Sequence, residues 1–198
     1  GCPRFEGCLP EVLEPAVEAV RAAGILMVVS AGNEGPACAT SATPPANYAA
    51  SFCVGAVSND GEVLGFSSRG PVNGQTKPDI AAPGQLVRSS VPDGRYAYAG
   101  GTSMAGPHVA GTVALVWSVA PALVGQADAT EALLCETALP KPVDLACPAE
   151  PSAFGLAASL MPYPACACGG LTGVPNNVYG CGVVDAGAAV RAALDNWR

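Results

Sequence analysis

The stretch Gly101-Thr102-Ser103-Met104-Ala105-Gly106-Pro107-His108-Val109-Ala110-Gly111, continued from Thr112 to Ala120, decides how the rest of the chain is read. It holds no Asp, Glu, Lys or Arg, and apart from Ser103 and His108 its residues are small or apolar. That composition predicts a helix buried on every side rather than an amphipathic one. Ser103 stands at its start, where unpaired backbone N–H groups and the positive end of the helix dipole favour developing negative charge. A nucleophile needs such a position. Gly101 lets the backbone turn, Gly106, Ala110 and Gly111 let other elements approach closely, and Pro107 falls in or near the first turn, where its missing N–H costs little. A serine ahead of an apolar helix is more often only its cap, so the surrounding sequence has to separate the two roles.

The chain is long enough for one domain with a substantial core, since half of its 198 residues are hydrophobic. Only 13% are charged, with 24 Gly and 19 Pro, which points to a loop-rich α/β protein rather than a helical bundle or a disordered tail. A net charge of −7, with nine Lys and Arg scattered along the chain, gives no basic patch and excludes nucleic acid as a partner. The apolar runs are short and broken by Gly and Ser, so a membrane is not expected as a partner either. Nine cysteines lie mostly in loop-like sequence, and the one-residue spacing of Cys166 and Cys168 does not suit a zinc site, so no metal site is assigned. Disulfides and a secreted or otherwise extracytoplasmic location are the expectation. The candidate pairs are Cys2 with Cys8, Cys38 with Cys53, and two among Cys135, Cys147, Cys166, Cys168 and Cys181, with one cysteine left over.

Working outward, residues 10 to 23 read as an amphipathic helix, with Pro10 in its first turn, Leu13, Ala16, Val17 and Val20 on one face, and Gly24 to close it. Ile25 to Val29 follow as a continuous apolar run, as in a parallel strand covered on both faces. Helix then buried strand implies βαβ architecture. Ser30-Ala31-Gly32-Asn33-Glu34-Gly35 comes next, at the carboxyl end of that strand, where parallel sheets carry their sites; Asn33 brings two amide donors in a glycine-bounded loop. Phe52 to Val57 is a second buried strand, and Val87 to Val91 and Tyr96 to Ala99 flank Pro92-Asp93-Gly94 as the arms of a hairpin leading to Ser103. A short helix is expected at 128 to 135 and a Cys/Pro-rich excursion at about 136 to 175. A final helix carries Val190, Ala193, Leu194 and Trp197 as one stripe. There is no internal repeat, and residues 1–198 are read as one domain.

Gly-Thr-Ser-Met-Ala-Gly-Pro-His-Val-Ala-Gly closely resembles the nucleophile signature of the subtilisin-like serine proteases, the subtilases. The segments Ser30 to Gly35, Phe66-Ser67-Ser68-Arg69-Gly70-Pro71, Lys77-Pro78-Asp79-Ile80-Ala81-Ala82-Pro83-Gly84 and Asn177 to Ala186 resemble others that the family places in this order. The resemblance implies a three-layer α/β fold, a mainly parallel sheet flanked by helices, with the N-terminal part missing. It implies Ser103 as the acylated nucleophile, Asn33 as the side-chain donor to the oxyanion, Ser30, Ala31 and Gly32 as one wall of the pocket before the scissile bond, and Glu34 at its rim. Asp79 is structural in the family, a proline comparable to Pro45 often follows a cis bond, and polypeptides are the substrates. Structural calcium is possible in a complete domain, although no acidic loop here has the ligand density to assign a site.

A serine hydroxyl needs a base and usually an acid to orient it. His108 is the only histidine, and five residues along a helix rotate it by about 140° from Ser103. The resemblance makes it a non-catalytic core residue. Subtilases order their residues Asp, His, Ser, which puts the expected base and acid on a missing N-terminal part of the same domain and makes these 198 residues inactive alone. Two other readings compete. The α/β-hydrolases would place a histidine after the serine, and none follows His108; a degenerate subtilase kept for binding would keep the fold without the base.

Overall fold

A computed structural model describes residues 11–143 and 168–197. Helix α1 spans Glu14–Ala22, with Pro15 in its first turn, and starts later than the sequence pattern suggested. Three parallel strands follow, β1 Val28–Ser30, β2 Phe52–Val57 and β3 Ile80–Pro83, in the order β1-β2-β3. Val28 pairs with Phe52, and Val54 with Ile80. A hairpin, β4 Val87–Val91 and β5 Arg95–Ala99, leads into the central helix α2, Thr102–Val119; α3 covers Ala127–Thr137 and α4 Ala186–Asn196. This is the expected α/β architecture built on a parallel sheet.

All six residues of β2 are buried, as a central strand with two covered faces requires. Their alternation divides the core. Phe52, Val54 and Ala56 face a cluster with Ala105, Val109, Val113 and Val116 of α2, Leu133 and Leu134 of α3, and Ala189 and Ala193 of α4. Val57 faces the other way, into Val63, Ala81, Tyr179 and Val183, while Cys53 packs with Ala31 and Ala46. Helices thus cover one face, and loop segments cover these positions on the other. Asp185 caps α4 by accepting the Ala188 N–H at 2.8 Å. Arg21 ties α1 to α3 through Glu131 at 2.6 and 2.8 Å and through Asp128, and these carboxylates raise its already high pKa.

Four expectations need correction. The central helix is not buried all round: Ala105, Val109, Thr112, Val113 and Val116 are buried, but Pro107, His108, Ala110, Gly111, Ala114 and Leu115 are exposed, because no described element packs on that side. Strand β1 is half-buried rather than covered, for the same reason. Cys38 pairs with Cys168, not Cys53, which is a buried free thiol whose pKa is pushed up by desolvation. The inward alternation of β2 turns Cys53 into the core, out of reach of the exposed Cys38 loop. Trp197 lies beyond the end of α4 and is exposed; the small residues Ala189 and Ala193 make the contact instead. Cys135 pairs with Cys181, one of the candidate pairs. Cys2 with Cys8, and most of the Cys/Pro-rich excursion, lie outside the described residues.

Candidate active site

The carboxyl ends of β1 and β3 bring the Asn33 loop and Ser103 together. β1 runs straight into Ala31-Gly32-Asn33, and β3 runs through Gly84 into the hairpin, whose exit is clamped by the Gly101 N–H donating to Gly84 O at 2.9 Å. Helix α2 begins one residue later. Its first residue, Thr102, is fully buried, whereas Ser103 is exposed at the same helix end.

Thr102 fixes Asn33. Its backbone N–H donates to Asn33 Oδ1 at 3.0 Å, and its hydroxyl lies 3.0 Å from the same oxygen and 3.2 Å from Gly32 O, with one proton to give to either. A backbone N–H can only donate, so the atom facing it is the amide oxygen, and the Asn33 NH2 group faces the other way. The position that a Cβ on Gly101 would take lies 3.7 Å from Asn33 Nδ2 and 3.7 Å from the Ser103 backbone nitrogen, with Met104 Sδ at the same distance. The Asn33 amide nitrogen and the Ser103 backbone nitrogen thus lie near the same side of Gly101, at the positive end of an 18-residue helix. A sp3 oxygen carrying negative charge would be stabilised there.

The other predicted site residues cluster on the same loop. Ala31 turns its side chain into the core and offers a ligand only backbone, Gly32 takes a φ of +107° that favours glycine, and Ser30 is half-buried. The Glu34 carboxylate folds back over Gly32: a Cβ there would lie 2.2 Å from Glu34 Oε2. Sequence reasoning did not assign roles to Thr102 or to Ser68, whose hydroxyl holds that carboxylate at 2.8 Å. The signal for Thr102 was its place at the first turn of α2, where a backbone N–H is free to bind a side chain.

His108 is exposed, not a core residue, because the side of α2 that carries it is bare. Its Nδ1 is bound to Met104 O at 2.8 Å, one turn back along the same helix. Asp79 lies at the amino end of β3, the opposite end of the sheet from Ser103. Its carboxylate accepts the Cys53 N–H and the buried Lys77 ammonium, each at 2.7 Å, and burial raises its pKa against the pull of Lys77. That is a structural position. The bond before Pro45 is cis. Among the described residues no three His, Cys, Asp or Glu side chains converge as a calcium ion would need, and no helix is long and apolar enough to cross a membrane.

Comparison with known proteins extends the resemblance. The chain is 40% identical over 122 residues to subtilisin E of Bacillus subtilis, a match covering 61% of the chain and 30% of that protein. It is 37% identical over 192 residues to bacillopeptidase F of the same species, covering 94% of the chain but 12% of the relative. A solved protease of Pseudoalteromonas arctica superposes with a TM-score of 0.66 at 26% identity, covering 94% of the chain and 48% of that structure. The prenylagaramide maturation protease PagA shares the fold, with a TM-score of 0.62 at 22% identity. The chain thus spans a minor part of the curated relatives it matches. With the subtilase (Peptidase_S8) profile matching residues 7–180, and with that fold and site geometry in place, the chain belongs to the subtilase family of serine proteases.

Proposed function

We propose that this chain carries the nucleophile and the oxyanion donors of a subtilisin-type serine endopeptidase, and that its general base and the acid that orients it come from a segment outside these 198 residues. The observation that carries this reading is the hydrogen bonding of Asn33 Oδ1 to Thr102, which seats the Asn33 side chain at the helix start next to the exposed Ser103. The Ser103 hydroxyl attacks the peptide carbonyl carbon and passes its proton to the supplied histidine. The former carbonyl oxygen takes the charge between Asn33 and the Ser103 N–H, and collapse expels the amine, which leaves with that proton; water then releases the acyl group by the same steps. Polypeptides are the substrates, with the Ser30–Gly32 segment as the wall of the acyl-side pocket and Glu34 at its rim.

The bare side of α2 supports the second half of the proposal. A groove of about 400 Å³ between α2 and β1 is lined by Ile25, Leu26, Val28, Ala110, Ala114 and Trp117. Ile25, Leu115 and Val124 around it are 57%, 54% and 55% exposed. Surface of this kind marks an interaction site, and strand β1 beside it has a free edge among the described residues. The missing N-terminal part of the domain is the proposed occupant. Two disulfides among the described residues support an extracytoplasmic setting.

The alternative, a subtilase fold kept for binding, has one observation in its favour: the single histidine is held by its own helix. In the protein that includes the base-supplying segment, Asn33→Ala is expected to lower kcat by about 10²–10³-fold with little change in KM, the size recorded for one such donor in a subtilisin. A loss below threefold removes Asn33 from the oxyanion site.

A further inference from the structure

Cys135 of α3 and Cys181 are bonded across 46 residues, and the loop they close holds most of the Cys/Pro-rich run of the sequence. Both are half-buried, and both line a cavity of about 470 Å³ beside Phe52 and Asp79, at the amino ends of β2 and β3. The free thiol Cys53 takes no part, because it packs on the other face of β2. Asp79, Asp128 and Glu131 line the cavity and no basic side chain does. Arg21 pairs with Asp128 and Glu131 from outside it, and Lys77 with Asp79, so two cations meet three carboxylates. Cys181 belongs to a strip of backbone threaded between β3 and the residues that follow α3. Its N–H donates to Asp79 O and the Val184 N–H to Ala81 O, each at 2.9 Å, while Leu139 and Val183 exchange bonds of 2.8 and 2.9 Å. A Cβ on Gly180 would lie 2.1 Å from Asp79 O, and one on Gly182 would lie 2.3 Å from Leu139 O, so the strip is glycine on both sides of the cysteine.

We propose that this cavity admits small thiols to the Cys135–Cys181 bond in the folded protein, with a preference for thiols that carry an amine, and that opening the bond releases the 180–184 strip from α3. A thiolate attacks one sulfur and forms a new S–S bond to it. The Cys135–Cys181 bond breaks, and its electron pair leaves on the other sulfur, which takes a proton from water. A second thiol molecule displaces the first as a small disulfide, so both cysteines end reduced and the two thiols are oxidised. The charge preference follows from the lining. The ammonium of an aminothiol offsets the charge of its own thiolate, whereas an anionic thiol brings two negative charges into a cavity with one in excess. The inference is separate from the protease reading, since the cavity lies at the opposite end of the sheet from Ser103.

The test exposes the intact protein, native at low salt or unfolded in urea, to cysteamine or 2-mercaptoethanesulfonate at equal thiolate concentration. Released thiols are alkylated at intervals and located by peptide mass mapping. In the native protein the bond is expected to open with cysteamine at a rate proportional to its concentration. The cysteamine-to-sulfonate rate ratio should exceed the ratio in urea, where the cavity is gone, by about tenfold at low salt. Asp128→Asn, which removes the excess charge at an exposed position, should lower that excess about threefold. Protein opened at this bond alone, or the double variant Cys135→Ala, Cys181→Ala, should unfold about 10 °C lower. A bond that stays closed in the native protein while it opens in urea overturns the access. Equal ratios in the two states overturn the charge preference, and an unchanged midpoint after opening overturns the role of the bond in holding the strip. None of these readouts depends on Ser103, so the protease reading stands or falls separately.

Discussion

The two sides of α2 are made of the same kinds of residue and have opposite surroundings. One side places Ala105, Val109, Val113 and Val116 against the sheet and α4, all within the core. The other presents Pro107, Ala110, Gly111, Ala114 and Leu115 to solvent, without a charged side chain among them. An ordinary surface helix carries polar residues on its outer face. The difference between the two sides is therefore one of covering, not of composition. The outer side of α2 has the sequence of an interior, and its proposed cover is the segment that also brings the base.

That comparison can be broken experimentally. The largest effect is expected from a charge on each side. Val109→Asp buries an unpaired carboxylate and should cost more than about 4 kcal/mol, enough to abolish a cooperative unfolding transition in this chain. Ala114→Asp should cost the same chain no more than about 0.7 kcal/mol, the helix-propensity difference, yet disable the protein that includes the covering segment. Equal losses in the isolated chain would show the outer side to be packed. Deletions give the next effect. Val116→Ala should destabilise by about 2 kcal/mol in urea titrations, while Leu115→Ala stays within about 0.5 kcal/mol until the covering segment is present. A Leu115→Ala loss as large as that of Val116→Ala would remove the contrast between the two sides.

Much of this was legible in the sequence because it is local. The apolar run of 52–57 marked β2 to the residue, Pro92-Asp93-Gly94 marked the hairpin, and the charge-free run from Gly101 marked α2. Asn33 and Ser103 were named from the family resemblance of the segments that hold them; their places after a strand and before a helix fit those roles without singling them out. What the sequence did not carry depends on partners far along the chain. Cys38 meets Cys168 across 130 residues, and loop-like spacing cannot specify that pairing. Thr102 and Ser68 act through hydrogen bonds to residues 69 and 34 positions away; the helix start marks Thr102 as having a free N–H but not its partner, and nothing beside Ser68 reports its own. The exposure of His108 was missed because composition describes what a helix is suited to contact, not whether the contact is present.

The most direct test of the central claim is labelling of Ser103 by a fluorophosphonate, followed by peptide mass mapping, on this chain alone and on this chain joined to the proposed base-supplying segment. Rapid labelling at Ser103 is expected only in the joined form, abolished by Ser103→Ala and accompanied by peptide hydrolysis. Equally rapid labelling of the isolated chain would place the base within these 198 residues, and no labelling in either form would mean that Ser103 is not a nucleophile.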